Sequence, residues 1–243
     1  MTPFIDNFIG ALSLAARVSP FIFFLACAIL TLLPKYFREN VLQHNRDGMR
    51  LFFFGLSLIV VGGFVQRATA MVTLAGFSAT LVALGVLIWL NDSWTAKVFP
   101  LALAPAYLVL AIASYILGAG HGSADIGTGF NQYAFVSLII PVFTATLAGT
   151  MTVYSMLSED FKKQIFPKDN SGGRLFAIGL VALLVASFSV NPLLTVALSA
   201  FATTLMAFGG LIAAPEPMTN QLLRTKWVVV YGLATIAIFV LAF

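Results

Sequence analysis

Long apolar segments separated by short polar loops dominate the chain from residue 18 onward. A helix that crosses a membrane needs roughly 20 apolar residues, within a range of about 17–25. Eight segments have or approach this length, and we predict a membrane-spanning helix over each of them: 18–34, 51–66, 71–90, 98–118, 133–157, 175–190, 192–214 and 227–243. The pattern therefore predicts an all-α polytopic membrane protein with eight transmembrane helices.

Residues 1–17 have a different pattern, because their apolar side chains recur with the period of a helix. One helical face carries Phe4, Ile5, Phe8, Ile9 and Leu12, and the opposite face carries Asp6, Gly10, Ser13 and Arg17. Such a segment is typical of an amphipathic helix that lies in the membrane interface, here joined to the first span at Pro20. A single long, tilted first helix is the alternative, and the sequence does not separate the two.

An internal repeat accompanies the apolar pattern. Residues 50–88 and 174–212 align without a gap at an offset of 124, and 16 of the 39 pairs are identical. The identical pairs include Arg50/Arg174, Gly55/Gly179, Phe77/Phe201, Thr80/Thr204 and Gly85/Gly209. Apolar composition alone does not produce matched Arg, Gly and Thr positions, so the match indicates a duplicated structural unit.

Each copy of the repeat belongs to a unit of four predicted spans. An even number of spans returns the chain to its starting side, so both units have the same orientation and are related by an axis along the membrane normal. We predict four segments: an amphipathic interfacial segment (1–17), a first four-helix repeat (18–118), a Gly-rich outer linker (119–132) and a second four-helix repeat (133–243).

The distribution of basic residues predicts the orientation of the bundle. Loops on one side hold most of the 13 Lys and Arg residues: Lys35, Arg38, Arg46, Arg50, Lys97, Lys162, Lys163, Lys168, Arg174, Arg224 and Lys226. Only Arg17 and Arg67 lie on the other side. Because basic loops stay in the cytoplasm, both termini are predicted to lie on the non-cytoplasmic side. The predicted location is a bacterial inner (cytoplasmic) membrane.

Composition excludes several functional classes. The chain is 60% hydrophobic and 9% charged, whereas a soluble domain has about 25% charged residues. Its net charge of +4 comes from short loops, so no nucleic-acid partner is predicted. The apolar cores of spans two to eight contain no Asp, Glu, Lys, Arg or His, and Cys27 is the only cysteine. We therefore predict no metal site and no cofactor, and the composition remains compatible with bound lipid.

The residues shared by the third helices of the two units lie in a regular stripe. Phe77 and Gly85 follow a near-heptad stripe that Phe201 and Gly209 repeat, and Thr80 and Thr204 flank the two stripes. This spacing is typical of packing between membrane helices, where small residues permit close approach. The alternative is that the two helices meet at the axis and line a pathway.

Few other residues could carry chemistry. Arg67 and Arg17 are positioned to contact an anion or a lipid headgroup, although an arginine there commonly serves as an interfacial anchor. His121 and Asp125 in the outer linker are the weakest candidates, since two such residues in a Gly-rich loop define no geometry. The sequence therefore identifies no catalytic residue.

Three functions fit this inventory. The first is a non-enzymatic integral membrane subunit, or an assembly or scaffold component, that presents its 23 phenylalanines to the bilayer and to other membrane-protein subunits. The second is a channel or transporter for a small uncharged solute or an ion, with its pathway between the repeats. The third is a lipid-modifying enzyme that uses His121, Asp125 or Arg67. The lack of intramembrane charge favours the first.

Overall fold

The computed structural model describes residues 3–33, 45–89, 101–114, 116–117, 132–165, 171–188, 191–214 and 223–242. Within these ranges all regular structure is helical. The α-helices are α1 (Pro3–Leu32), α2 (Asn45–Val61), α3 (Ala68–Trp89), α4 (Ala104–Ser114), α5 (Gln132–Met156), α6 (Glu159–Ile165), α7 (Ser171–Ser187), α8 (Pro192–Ala213) and α9 (Val228–Ala237). Short 3₁₀ segments lie at Gly62–Phe64, Leu101–Leu103 and Thr225–Trp227, and α9 continues as a π-helix over Ile238–Ala242.

Five helices are long and apolar enough to cross a membrane: Pro3–Leu32, Asn45–Phe64, Ala68–Trp89, Ile139–Met156 and Leu193–Ala213. The other apolar helices of the described ranges, Leu101–Ser114, Gly172–Ser187 and Thr225–Leu241, are shorter. At 1.5 Å per residue a 16-residue helix rises about 24 Å, less than a hydrocarbon core of about 30 Å. The fold is therefore that of an all-helical, multi-pass membrane protein with five candidate spans.

The first helix is continuous through Pro20, which corresponds to the second of the two predicted alternatives. Its 30 residues rise about 45 Å, so a third of it extends beyond the hydrocarbon core unless the helix tilts. Small side chains form its packed face: Ala11 and Ala15 are buried, and Ala11 lies against Gly62. Ile9 and Leu12 remain exposed, which suits lipid contact.

Two antiparallel hairpins, α2–α3 and α7–α8, form the centre of the bundle. A Cβ atom on Gly85 would lie 2.6 Å from the backbone nitrogen of Phe52, so only glycine permits this approach of α3 to α2. The same contact occurs 124 residues later, where a Cβ on Gly209 would lie 2.5 Å from the nitrogen of Phe176. Both hairpins therefore close on a glycine at the same position.

Helices α3 and α8 pack side by side where the two hairpins meet. A Cβ on Gly76 would lie 3.1 Å from both the Cα of Ala197 and the Cβ of Ala200, which allows the helices to approach closely. Leu84 and Ile88, near the end of α3, share one small cavity with Phe208 and Ile212, near the end of α8. The two helices consequently run in the same direction.

The remaining long helices surround this central pair. Helix α1 packs on α3 and α4, and α5 packs on α8 and α9. The outer faces of α4, α7 and α9 are apolar and exposed, as shown by Val109, Ile112, Val181, Val185, Val229 and Leu233. These faces match the hydrocarbon of a bilayer or the side of another membrane helix.

Candidate functional site

The predicted stripes along α3 and α8 and their flanking threonines form a buried seam of six residues: Phe77, Thr80, Gly85, Phe201, Thr204 and Gly209. Thr80 and Thr204 are fully buried, and each hydroxyl donates to a carbonyl of its own helix, over 2.7 Å to Gly76 and 2.6 Å to Ala200. A hydroxyl bonded in this way to its own helix needs no further partner. This geometry is that of helix packing, and a role in a pathway stays a prediction.

The two phenylalanines of the seam occupy different places. Phe77 is fully buried against Gly149 of α5, and its ring stacks on Phe239 with 6.4 Å between centroids. Phe201 is also fully buried but lines the cavity between the two hairpins. The structure therefore brings the six predicted seam residues into one core without grouping their polar atoms.

The cavity between the hairpins has a volume of about 70 Å³ and an entirely apolar lining. Several lining residues are 124 positions apart in sequence: Leu33 and Leu157, Leu51 and Leu175, Leu84 and Phe208, and Ile88 and Ile212. Its apolar walls offer no polar partners that would hold an ordered water molecule. It is an apolar, partly open cavity at the meeting point of the two hairpins.

Around α5, unlike at Thr80 and Thr204, buried hydroxyl groups form hydrogen bonds between helices. Thr146 donates to Thr203 of α8 at 2.9 Å, and the hydroxyls of Thr152 and Thr235 of α9 are 3.1 Å apart. The Ser155 and Ser199 hydroxyls are also buried and have no hydrogen-bond partner among the residues that the structure describes. Polar contacts of this kind add about 0.6 kcal/mol each in membrane proteins, so they mainly fix helix register.

A buried carboxylate connects helix α2 to the connection between α5 and α6, and no local sequence pattern predicted it. Asp47, only 2% exposed, accepts hydrogen bonds from the backbone nitrogen of Ser158 at 2.9 Å and from its hydroxyl at 2.6 Å. Arg50 donates to the same carboxylate at 3.0 Å and to the carbonyl of Met156 at 2.9 Å. Asp47 thus ties the first turn of α2 to the connection between α5 and α6.

Helix α6 contains a second ion pair, between two of its own residues. Ser158 caps this helix, because its hydroxyl accepts from the nitrogen of Phe161 at 3.2 Å. Lys162 is buried, and its ammonium donates to Glu159 at 2.9 Å and lies 6.0 Å from the ring centre of Tyr154. The contact of Lys162 with Tyr154 and its hydrogen bond to the carbonyl of Leu223, at 3.4 Å, connect this short helix to the rest of the bundle.

The outer candidates are dispersed. Arg17 is exposed on α1, and Arg67 is exposed directly before α3. At the position equivalent to Arg67, Asn191 caps α8 by accepting from the nitrogens of Leu193 and Leu194. His121 and Asp125 lie outside the described residues.

The described part of the chain contains no group of three or more His, Cys, Asp or Glu residues that could hold a metal ion. No protein-family model, curated protein or solved structure matches the chain.

Proposed function

We propose that the protein crosses the membrane eight times, as two parallel four-helix units with both termini on the non-cytoplasmic side. The ungapped repeat supports this arrangement, as do the glycine contacts that recur at the same offset of 124. The common direction of α3 and α8 agrees with an axis along the membrane normal. The three shorter apolar helices complete the eight spans in this proposal.

Within this arrangement, we propose that the protein is a non-enzymatic integral subunit or scaffold of a larger membrane complex. The observation that carries the proposal is the contrast between interior and exterior. Where the described residues of the two hairpins meet, they line a small apolar cavity, while α4, α7 and α9 present broad apolar faces. Apolar outer faces of this kind suit contact with lipid and with the helices of other membrane proteins.

Affinity purification from the native membrane tests this proposal. The tagged protein, extracted in a mild detergent, is expected to elute with other integral membrane proteins at a fixed stoichiometry measured by mass spectrometry. Extraction of untagged membranes provides the background. Recovery of a monodisperse protein without partners, under conditions that preserve other membrane complexes, would contradict the subunit proposal.

A channel or transporter for a small uncharged solute is the second candidate. The buried hydroxyls of α5 and α8 favour it, especially those of Ser155 and Ser199, for which the described residues supply no hydrogen-bond partner. This candidate predicts solute flux into proteoliposomes that falls when Thr80 and Thr204 are both replaced by Val. The subunit proposal predicts no flux above that of empty liposomes, so the two functions give opposite results in one assay.

A further inference from the structure

We propose that the groove between the first turns of α2 and the end of α5 binds one anionic phospholipid, with its phosphate against Arg46 and Arg50. The groove has a volume of about 530 Å³, and its lining includes Arg46, Arg50, Phe53, Phe54, Ser57 and Met156. The inference requires insertion into a membrane, and it does not depend on whether the protein is a subunit or a transporter.

The positive charge of the groove favours a phosphate. Arg46 and Arg50 are both exposed and lie four residues apart on α2, so their side chains share one face of the helix. Buried Asp47 balances one of the two charges and holds Arg50 in place. Both described hydrogen bonds of Arg50 use Nη1, which leaves the other guanidinium donors for a ligand.

The groove also lies at the depth expected of a headgroup site. A Cβ on Gly48 would lie 2.7 Å from the backbone nitrogen of Trp89, so the turn that holds the arginines is level with Trp89. That indole is 44% exposed, and tryptophan is enriched at the interface of the bilayer. The arginines of the groove are therefore placed where phosphate groups lie.

The other residues that line the groove form a mostly apolar wall, which suits contact with an acyl chain. Phe53 is 55% exposed and lies about one helical turn beyond Arg50, while Ser57 lies about one turn further. From Arg46 to Ser57 the helix rises about 16 Å, which spans a headgroup and the upper part of an acyl chain. A free phosphate ion would leave this apolar wall without a role, whereas a phospholipid covers it.

The second hairpin lacks the same combination of residues. Arg174 occupies the position equivalent to Arg50, but Asn170, Ala177 and Val181 occupy those equivalent to Arg46, Phe53 and Ser57. The groove is therefore not a general consequence of the hairpin packing. Arg174 supplies a matched control, since it is an exposed arginine at the same level of the other unit.

Native mass spectrometry of the detergent-purified full chain tests the proposal. The protein is titrated with phosphatidylglycerol or phosphatidylcholine of identical acyl chains, and the dissociation constant of the first bound lipid is measured. We expect phosphatidylglycerol to bind at least about ten-fold more tightly, and R46Q to weaken it about five-fold. R46K should keep most of the affinity, and R174Q should keep all of it.

Three results would overturn the proposal. The first is equal affinity for the two lipids, and the second is an equal loss in R46Q and R174Q. The third is displacement of the lipid by millimolar inorganic phosphate, which would indicate an ion site that does not need the acyl chain. Arg46 is exposed, so R46Q is expected to fold, and an unchanged melting temperature confirms that affinity alone is affected.

Discussion

The α2–α3 and α7–α8 hairpins close through the same backbone contact but differ in the polar groups that surround it. A Cβ atom added to Gly85 would lie 2.6 Å from the backbone nitrogen of Phe52, and one added to Gly209 would lie 2.5 Å from that of Phe176. The first hairpin has buried Asp47 at its base and Arg67 at its turn. In the second hairpin Asn191 caps α8 at the turn.

The comparison shows that helix packing and the contacts at the helix ends depend on different residues. Shared positions determine how the helices approach one another, because close packing in lipid depends on small residues at fixed spacing. Unshared positions determine what each unit contacts at its ends. A specific interaction of this protein is therefore expected at the asymmetric positions, as with the groove at Arg46 and Arg50.

The largest expected effect comes from the Asp47–Arg50 ion pair of the first hairpin. Replacing Asp47 by Ala removes the acceptor of three hydrogen bonds and leaves the Ser158 backbone nitrogen unpaired. We expect a loss of about 3 kcal/mol in the free energy of unfolding in mixed micelles. Asp160→Ala, at an exposed position of α6, should change it by less than about 0.5 kcal/mol. Equal effects of both variants would contradict the structural role of Asp47.

The glycine contact should respond equally in both hairpins. Gly85→Ala and Gly209→Ala each place a methyl group against the backbone of the facing helix, so each should cost about 1–3 kcal/mol. Gly210→Ala is the control, because a Cβ there meets no atom within 4 Å. Thermal unfolding of the three variants in one detergent measures the comparison. A clear loss in only one hairpin would show that the two contacts are not equivalent.

The hairpin turns should respond unequally. Asn191→Ala removes an acceptor for two backbone nitrogens at the start of α8 and should cost about 1 kcal/mol. The guanidinium of Arg67 has only hydrogen-bond donors, so it cannot cap the start of α3, and the residue is exposed. Arg67→Ala should therefore change the free energy of unfolding by less than about 0.5 kcal/mol. The melting temperatures of the two variants test this prediction. A larger drop in melting temperature for Arg67→Ala than for Asn191→Ala would contradict it.

The smallest effect concerns the buried threonines. Thr203→Val breaks a hydrogen bond between α5 and α8 and should cost about 0.6 kcal/mol. Thr80→Val breaks only a bond within its own helix and should be nearly neutral. The difference between their free energies of unfolding measures the contribution of the inter-helix bond. A larger cost for Thr80→Val would indicate that its hydroxyl serves another partner.

Sequence patterns predicted the helices that pack most regularly. Continuous apolar runs located α3 and α8, and the matched glycines were visible because α2–α3 and α7–α8 share an ungapped register. The first helix was harder to predict, since its bulky apolar residues indicated an amphipathic helix in the membrane interface and did not reveal that Ala11 and Ala15 make the close helix contact. Small side chains contribute little to an apolar pattern but determine how near two helices come.

The buried ions could not be predicted in the same way. Asp47 and Ser158 are 111 residues apart, and Asp47 lies in a charged segment that has the composition of a solvated loop. Lys162 is likewise surrounded by charged residues in sequence and buried in the structure. Burial of these groups depends on which helix ends meet, and that information arises only from the assembled bundle.

The central claim, two units in the same orientation, is tested most directly by labelling both hairpin turns from one side. Cys27 is replaced by Ser, and a single cysteine is then introduced as Arg67→Cys or Phe188→Cys, both at exposed positions. Arg50→Cys and Arg174→Cys report the opposite helix ends. With a membrane-impermeant maleimide on intact cells, we predict labelling of both turns and protection of both arginine positions. Labelling of one turn and protection of the other would contradict the parallel arrangement.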